Sequence, residues 1–264
     1  MPSIPELRAD LERDGFALLR SHFDPGALGA ELDRALREGA LASATRRVGG
    51  GELGVRFVPM LGARCPVSLD LVRELAGLAT ALLGAPVLPG RAKGVRYGGE
   101  TRWHADTELP IRSLGLLAYL DPLGPESGAL RVVPGSHRAG WRAPEPGDAD
   151  WRGALPTHPV VSAPGDLIIL DEHLTHGSFG GRERRQWRID FIADEPGEAL
   201  ERWYAGQYPY GWDPGYDPDL YPSYGPELRA LNPRWAARLE ALGVLAMAEA
   251  HEQAARRGRS AVVG

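Results

Sequence analysis

KGVRYGGETRWHADTELPIRSLGLLAYLDPLGPESGALRVV, residues 93–133, decides the fold. Short apolar runs alternate here with Gly/Pro turns: Lys93–Tyr97, Trp103–Asp106, Ser113–Leu120 and Gly128–Val133. The pattern continues through Pro159–Ser162, Asp166–Leu170 and Arg184–Ala193. A series of short strands punctuated this way predicts a β-barrel or a two-sheet jelly roll.

Upstream the period changes. PELRADLERDGFALLR has helical apolar spacing up to Leu11, then the breaker Asp14-Gly15, then a strand to Leu19. Asp24-Pro25 opens a second helix with Leu28, Leu32 and Leu36 on one face. Leu69–Leu83 reads as an amphipathic helix. Gly49–Gly54 formally matches GxGxxG, but it neither follows a predicted strand nor opens a helix. It reads as a mobile loop or lid. Downstream, Pro226–Leu231 and Pro233–Ala254 read as helices, and the aromatic-rich Trp203–Gly225 is expected near the barrel mouth. The expected organisation is one domain over 1–264. It has a helical part at 1–85, a barrel at about 86–195, and a tail with C-terminal helices at 196–264.

Composition narrows the function. The chain has 264 residues, 43% hydrophobic and 25% charged, with a formal net charge of −5. No basic field attracts nucleic acid. The Arg-rich runs Arg182–Arg188 and Arg256–Arg259 read as solvated faces, one arginine of the first excepted. No apolar run is long enough to span a membrane. The N-terminal residues lack a signal-peptide core. The single cysteine, Cys65, fits a reducing cytoplasm and reads as a small buried apolar residue.

His104-Ala105-Asp106 carries the chemistry. Residues two apart on a strand share a face, so a strand here points an imidazole and a carboxylate into one cavity. His176, from a neighbouring strand, would complete two nitrogens and one oxygen on one side of a metal. Such a set, with the opposite side open, suits a non-haem Fe(II) oxygenase. Asp171 and Glu172 are alternative carboxylates near His176. His173 and the turn residue His137 are poorer ligands.

Four segments appear in order: ERDGFALLR, WHAD, SGALRVVPGSH, and PGDLIILDEHLTHGS followed by RERRQWRIDF. This order resembles the phytanoyl-CoA dioxygenase family of Fe(II)/2-oxoglutarate oxygenases, over residues 7 to about 195. The resemblance implies a mainly β fold with flanking helices, a double-stranded β-helix (jelly-roll, cupin-like) barrel. It implies His104, Asp106 and His176 as ligands of Fe(II), with 2-oxoglutarate and O2 as co-substrates. It also implies an arginine on the last barrel strand that pairs with the distal carboxylate of 2-oxoglutarate; a bidentate guanidinium suits that partner.

Arg184 is the first choice, with Arg185 and Arg188 as alternatives. With Arg184 toward the cavity, Trp187, Ile189 and Phe191 pack against helices. Ser178 and Lys93 are weaker candidates for co-substrate contacts; a turn hydroxyl and an exposed strand lysine explain them as well. Trp103 reads as core rather than a substrate platform. The expected reaction is hydroxylation of a small natural-product or amino-acid-like molecule, with succinate and CO2 released. Desaturation, epoxidation and cyclisation are open to the same chemistry, as is a non-catalytic binding barrel. Halogenating members of the superfamily lack the metal carboxylate, so Asp106 argues against chlorination. Neither oligomeric state nor substrate identity is legible.

Overall fold

The computed structural model describes residues 2–38, 43–48, 51–60, 64–90, 92–141, 156–181, 183–203 and 233–243. Three helices open the chain: α1 (Ile4–Asp14), α2 (Pro25–Glu38) and α3 (Pro66–Leu83). Ser3 caps α1 in a capping box with Glu6, and Gly15, at φ 82°, ends it in a left-handed turn. Leu28, Leu32 and Leu36 of α2 are buried, as their spacing predicts. The α3 helix begins upstream of Leu69, with Pro66 in its first turn. The buried Glu31 of α2 accepts the backbone N–H groups of Val67 and Ser68, so a carboxylate sits on the positive end of α3.

The strands are β1 (Phe16–Leu19), β2 (Ser43–Val48), β3 (Gly51–Pro59), β4 (Val87–Pro89), β5 (Lys93–Gly98) and β6 (Thr101–His104). They continue as β7 (Ser113–Tyr119), β8 (Leu130–Val132), β9 (His158–Val160), β10 (Leu167–Asp171), β11 (His176–Ser178) and β12 (Glu183–Ala193). A larger sheet runs β1-β10-β7-β12-β5-β3-β2, with β4 also paired to β12. A smaller sheet runs β6-β11-β8-β9. The strand pairings are antiparallel. This is the two-sheet jelly roll that the strand pattern predicts, and the double-stranded β-helix with flanking helices that the family resemblance implies.

Two apolar clusters follow from the strand period of two. Leu117, Tyr119, Leu130, Val132, Val160, Ile168 and Leu170 join residues of both sheets and fill the space between them. Leu116, Ala118, Ile169, Trp187, Ile189 and Phe191 point the other way, onto the core shared with α1, α2 and α3. Each buried Leu, Ile, Val or Phe among them contributes about 1.5–3 kcal/mol.

Two expectations change. Gly51–Gly54 belongs to β3, which pairs with both β2 and β5, so this glycine-rich stretch is part of a hairpin rather than a lid. Trp103–Asp106 is not all strand: β6 stops at His104, and Asp106 lies beyond it. Of the tail, α4 (Pro233–Ala241) is described; Trp235 and Leu239 bury against the helical core. Residues 226–231, most of 203–225 and the remainder of the 233–254 helix lie outside the described residues.

Candidate metal centre

The β6 and β11 strands are neighbours, and His176 stands opposite His104 in register. Their ring centroids lie 4.4 Å apart. Asp106 reaches them from the turn after β6. That turn is fixed by Glu172, whose carbonyl accepts the N–H groups of Asp106 (2.8 Å) and Thr107 (3.2 Å). Asp106 Oδ1 is 3.7 Å from His104 Nε2, and Oδ2 is 3.5 Å from His176 Nε2. One ligating atom from each residue falls within 4.8 Å of the others; among the described residues no other His/Cys/Asp/Glu trio does so.

The tautomers follow from the neighbours. His104 Nδ1 is 2.7 Å from the Arg102 carbonyl, and His176 Nδ1 is 2.9 Å from the Leu174 carbonyl. A carbonyl can only accept, so each Nδ1 carries the proton and each Nε2 keeps a lone pair facing Asp106. Burial pushes the His176 pKa down to about 4, so this ring is neutral near pH 7. Burial raises the Asp106 pKa, but Arg188 and the two imidazoles outweigh it and hold the carboxyl well below the usual range. Two imidazoles presenting Nε2 and one carboxylate fit a divalent first-row metal.

The candidate arginines diverge. Along β12, Arg184, Gln186, Arg188 and Asp190 share one face, whereas Trp187, Ile189 and Phe191 lie on the helix-facing core. Arg184 is 1% exposed; its Nη1 donates to the Gly99 carbonyl at 2.7 Å. Its guanidinium carbon lies 4.8 Å from the centre of the Tyr97 ring, and its Nε has no hydrogen-bond partner among the described residues. Burial and the neighbouring Tyr119 push the Tyr97 phenol up to about 12. Arg185 points outward and pairs with Asp33 and Asp121, each at 2.8 Å. Arg188 is buried among Asp106, Glu172 and Asp190.

Ser178 is buried on β11, where its Oγ donates to the Gly128 carbonyl at 2.7 Å. Lys93 opens β5, opposite Arg188. Trp103 is half-buried, its ring 5.2 Å from that of Phe179. His173 is engaged elsewhere, by Asp171 and the Leu109 carbonyl. His137 packs over Gly15. Glu172 is buried and contacts Arg188 rather than joining the His/Asp trio. Sequence reasoning missed the contact of Arg188 with Asp106 and the two tyrosines near Arg184. The alternation of β12 was the available clue, since it places Arg188 on the face of Arg184.

Comparison with known proteins adds to this geometry. The family model described as phytanoyl-CoA dioxygenase (PhyH) matches residues 11–186. The chain belongs to the phytanoyl-CoA dioxygenase family. The match contains His104, Asp106, His176 and Arg184. An ectoine dioxygenase from Bordetella parapertussis is 33% identical over 145 residues, covering 48% of this chain and 47% of that relative. One from Nocardia farcinica is 29% identical over 151 residues, covering 50% and 51%. This phytanoyl-CoA dioxygenase family chain thus spans about half the length of the curated relatives it matches. Among solved structures, AviO1 from Streptomyces viridochromogenes is 27% identical, with a TM-score of 0.57, covering 75% of this chain and 98% of that one. The epimerase SnoN, in complex with Fe3+, alpha ketoglutarate and nogalamycin RO, shares the fold at 22% identity and a TM-score of 0.58. It covers 72% of this chain and 83% of its own.

Proposed function

We propose that this protein is an Fe(II)- and 2-oxoglutarate-dependent dioxygenase that hydroxylates a small molecule and releases succinate and CO2. The observation that carries the reading is the set of His104, His176 and Asp106, two Nε2 lone pairs and a carboxylate turned toward one another, on the barrel of a phytanoyl-CoA dioxygenase family chain. Those three residues would hold the metal. When bound, Fe(II) supplies the site for 2-oxo acid chelation and O2 activation that the carbon–hydrogen oxidation needs.

The chain's own residues do the rest. Arg184 would pair with the distal carboxylate of 2-oxoglutarate. Its burial and unpartnered Nε support this, because a buried guanidinium without a counter-charge is costly and an anion relieves it. Ser178, also buried on β11, is a second contact in this reading. Lys93, at the start of β5, is a third. The buried apolar cluster around Leu117, Leu130 and Ile168 fills the space between the sheets and excludes water from it. Asp106 fills the position that a halide would take, which favours oxygen transfer over chlorination.

The substrate class we infer is a small natural-product or amino-acid-like molecule, in keeping with the ectoine dioxygenases and the nogalamycin-bound epimerase to which the chain is similar. We read residues 1–264 as one domain, since α1, α2, α3 and α4 share one core with the larger sheet. A cytoplasmic setting is supported by Cys65, which is buried and forms no disulfide. Among the described residues no helix is long and apolar enough to cross a membrane.

Anaerobic titration with Fe(II) and 2-oxoglutarate tests the reading. A weak visible charge-transfer band that needs both components is expected. Absence of the band would favour a non-catalytic binding barrel.

A further inference from the structure

Behind Asp106 lies a buried charge cluster that metal and co-substrate binding do not by themselves explain. The Arg188 side chain is 7% exposed, Glu172 1% and Asp190 6%. Arg188 Nε donates to Asp190 Oδ1 at 2.5 Å, and Nη2 donates to Glu172 Oε1 at 3.2 Å. Nη2 also stands 2.8 Å from Asp106 Oδ2. That last contact is a close ion pair, made to the same Asp106 oxygen that lies 3.5 Å from His176 Nε2.

Three further features make the cluster look built. Glu172 grips Asp106 twice: its carbonyl fixes the Asp106 backbone, and its carboxylate holds the guanidinium that faces the Asp106 side chain. Gly115 of β7 leaves the space. A Cβ there would lie 2.8 Å from Arg188 Nη2 and 3.2 Å from its Cζ, so the guanidinium would have to shift. Finally, one guanidinium serves three carboxylates. A buried ion cluster is a poor way to gain stability, because apolar side chains of similar volume do as well or better.

We propose that Arg188, braced by Glu172 and Asp190 in the space left by Gly115, is a positioning residue that holds the Asp106 carboxylate in its metal-binding attitude. The inference rests on the reading of His104, Asp106 and His176 as the ligands. Outer partners of metal ligands typically change metal affinity by about 10–100-fold when removed.

The test is Co(II) binding to the metal-free full chain, read by calorimetry and by the visible ligand-field band, with no turnover required. Gly115→Ala keeps every charge and displaces only the guanidinium. Arg188→Lys keeps the positive charge but cannot span three carboxylates. Each should weaken Co(II) by about 10–100-fold and alter the band, while far-UV circular dichroism matches wild type. Either variant suffices if the other fails to fold. Wild-type affinity and band in a folded variant would make the cluster structural and overturn the proposal. Tighter Co(II) binding would also overturn it, because Arg188 would then compete with the metal for Asp106. Wild type and His176→Ala run alongside: if wild type itself binds no Co(II) at this site, the ligand reading has failed instead.

Discussion

Arg184 and Arg188 project from the same face of β12, both buried, into opposite surroundings. Arg188 has three carboxylates within 3.2 Å. Arg184 has a carbonyl, the face of Tyr97 and, among the described residues, no carboxylate partner. A buried charge must be paired or it destabilises the fold. Among the described residues the fold therefore supplies counter-charges to Arg188 and none to Arg184, which fits the proposal that Arg184 receives a ligand carboxylate. That contrast separates the proposed metal end of the site from the proposed 2-oxoglutarate end.

The largest expected effect lies at the metal. His176→Ala removes the most buried of the three candidate ligands. Iron binding and turnover should be lost, with the fold largely retained, since the ring lies outside both apolar clusters. Wild-type iron stoichiometry in the purified variant would end the assignment of this end of the site.

Next comes Arg184. Arg184→Ala would leave the bound carboxylate without its partner, at a cost of about 3–5 kcal/mol. That corresponds to roughly two to three and a half orders of magnitude in 2-oxoglutarate affinity. Succinate release against 2-oxoglutarate concentration measures it. If Arg188→Lys loses 2-oxoglutarate dependence and Arg184→Ala does not, the two arginines have exchanged roles and the contrast is reversed.

The over-supplied cluster around Arg188 makes a pH prediction for the metal-free protein. Burial, with Asp190 close by, raises the Glu172 pKa from 4.5 to about 8 despite Arg188. Between those values the folded state binds the extra proton, so this group's contribution to stability falls as pH rises toward 8. His176 acts oppositely. Its pKa falls from 6.5 to about 4, so the unfolded chain binds the extra proton there and stability rises with pH up to 6.5. The two trends oppose each other below 6.5 and leave a decline from 6.5 to 8. His173, raised mainly by its bond to Asp171, declines in the same direction. The difference between wild type and Glu172→Gln therefore isolates Glu172. Urea midpoints across pH 6.5–8 should fall less in the variant; equal slopes would mean that Glu172 is already ionised in the fold.

Much of this arrangement could be read from residues alone. The period of two along Arg184–Phe191 separates a cavity face from a Trp187/Ile189/Phe191 face, and the structure keeps that separation. His104 ends the short strand β6 and His176 begins the short strand β11, and turn residues bound both runs. Asp106 was harder to place. Its position depends on the Glu172 carbonyl, a backbone contact that leaves no trace in side-chain pattern. The Arg188 cluster was hidden for a related reason: a run of arginines looks solvated until the strand shows which members turn inward. Gly51–Gly54 misled because glycines carry no side chains to display a strand period; pairing with β2 and β5 determines their state.

The smallest expected effect belongs to the outward neighbour, and it sharpens the contrast by serving as its control. Arg185 differs from Arg184 by one position and therefore by one face. Its guanidinium meets Asp33 and Asp121, and Asp121 Oδ2 also accepts its backbone N–H at 2.7 Å. The side chain is 26% exposed, so water screens these ion pairs and shares their hydrogen bonds. Arg185→Ala should cost about 1 kcal/mol or less, seen as a small shift in the urea midpoint that shrinks further in high salt. Because the side chain points away from the cavity, 2-oxoglutarate dependence should not change. A large loss of co-substrate affinity in this variant, with stability near wild type, would mean that β12 is shifted by one residue, and the contrast between Arg184 and Arg188 would fall with that register.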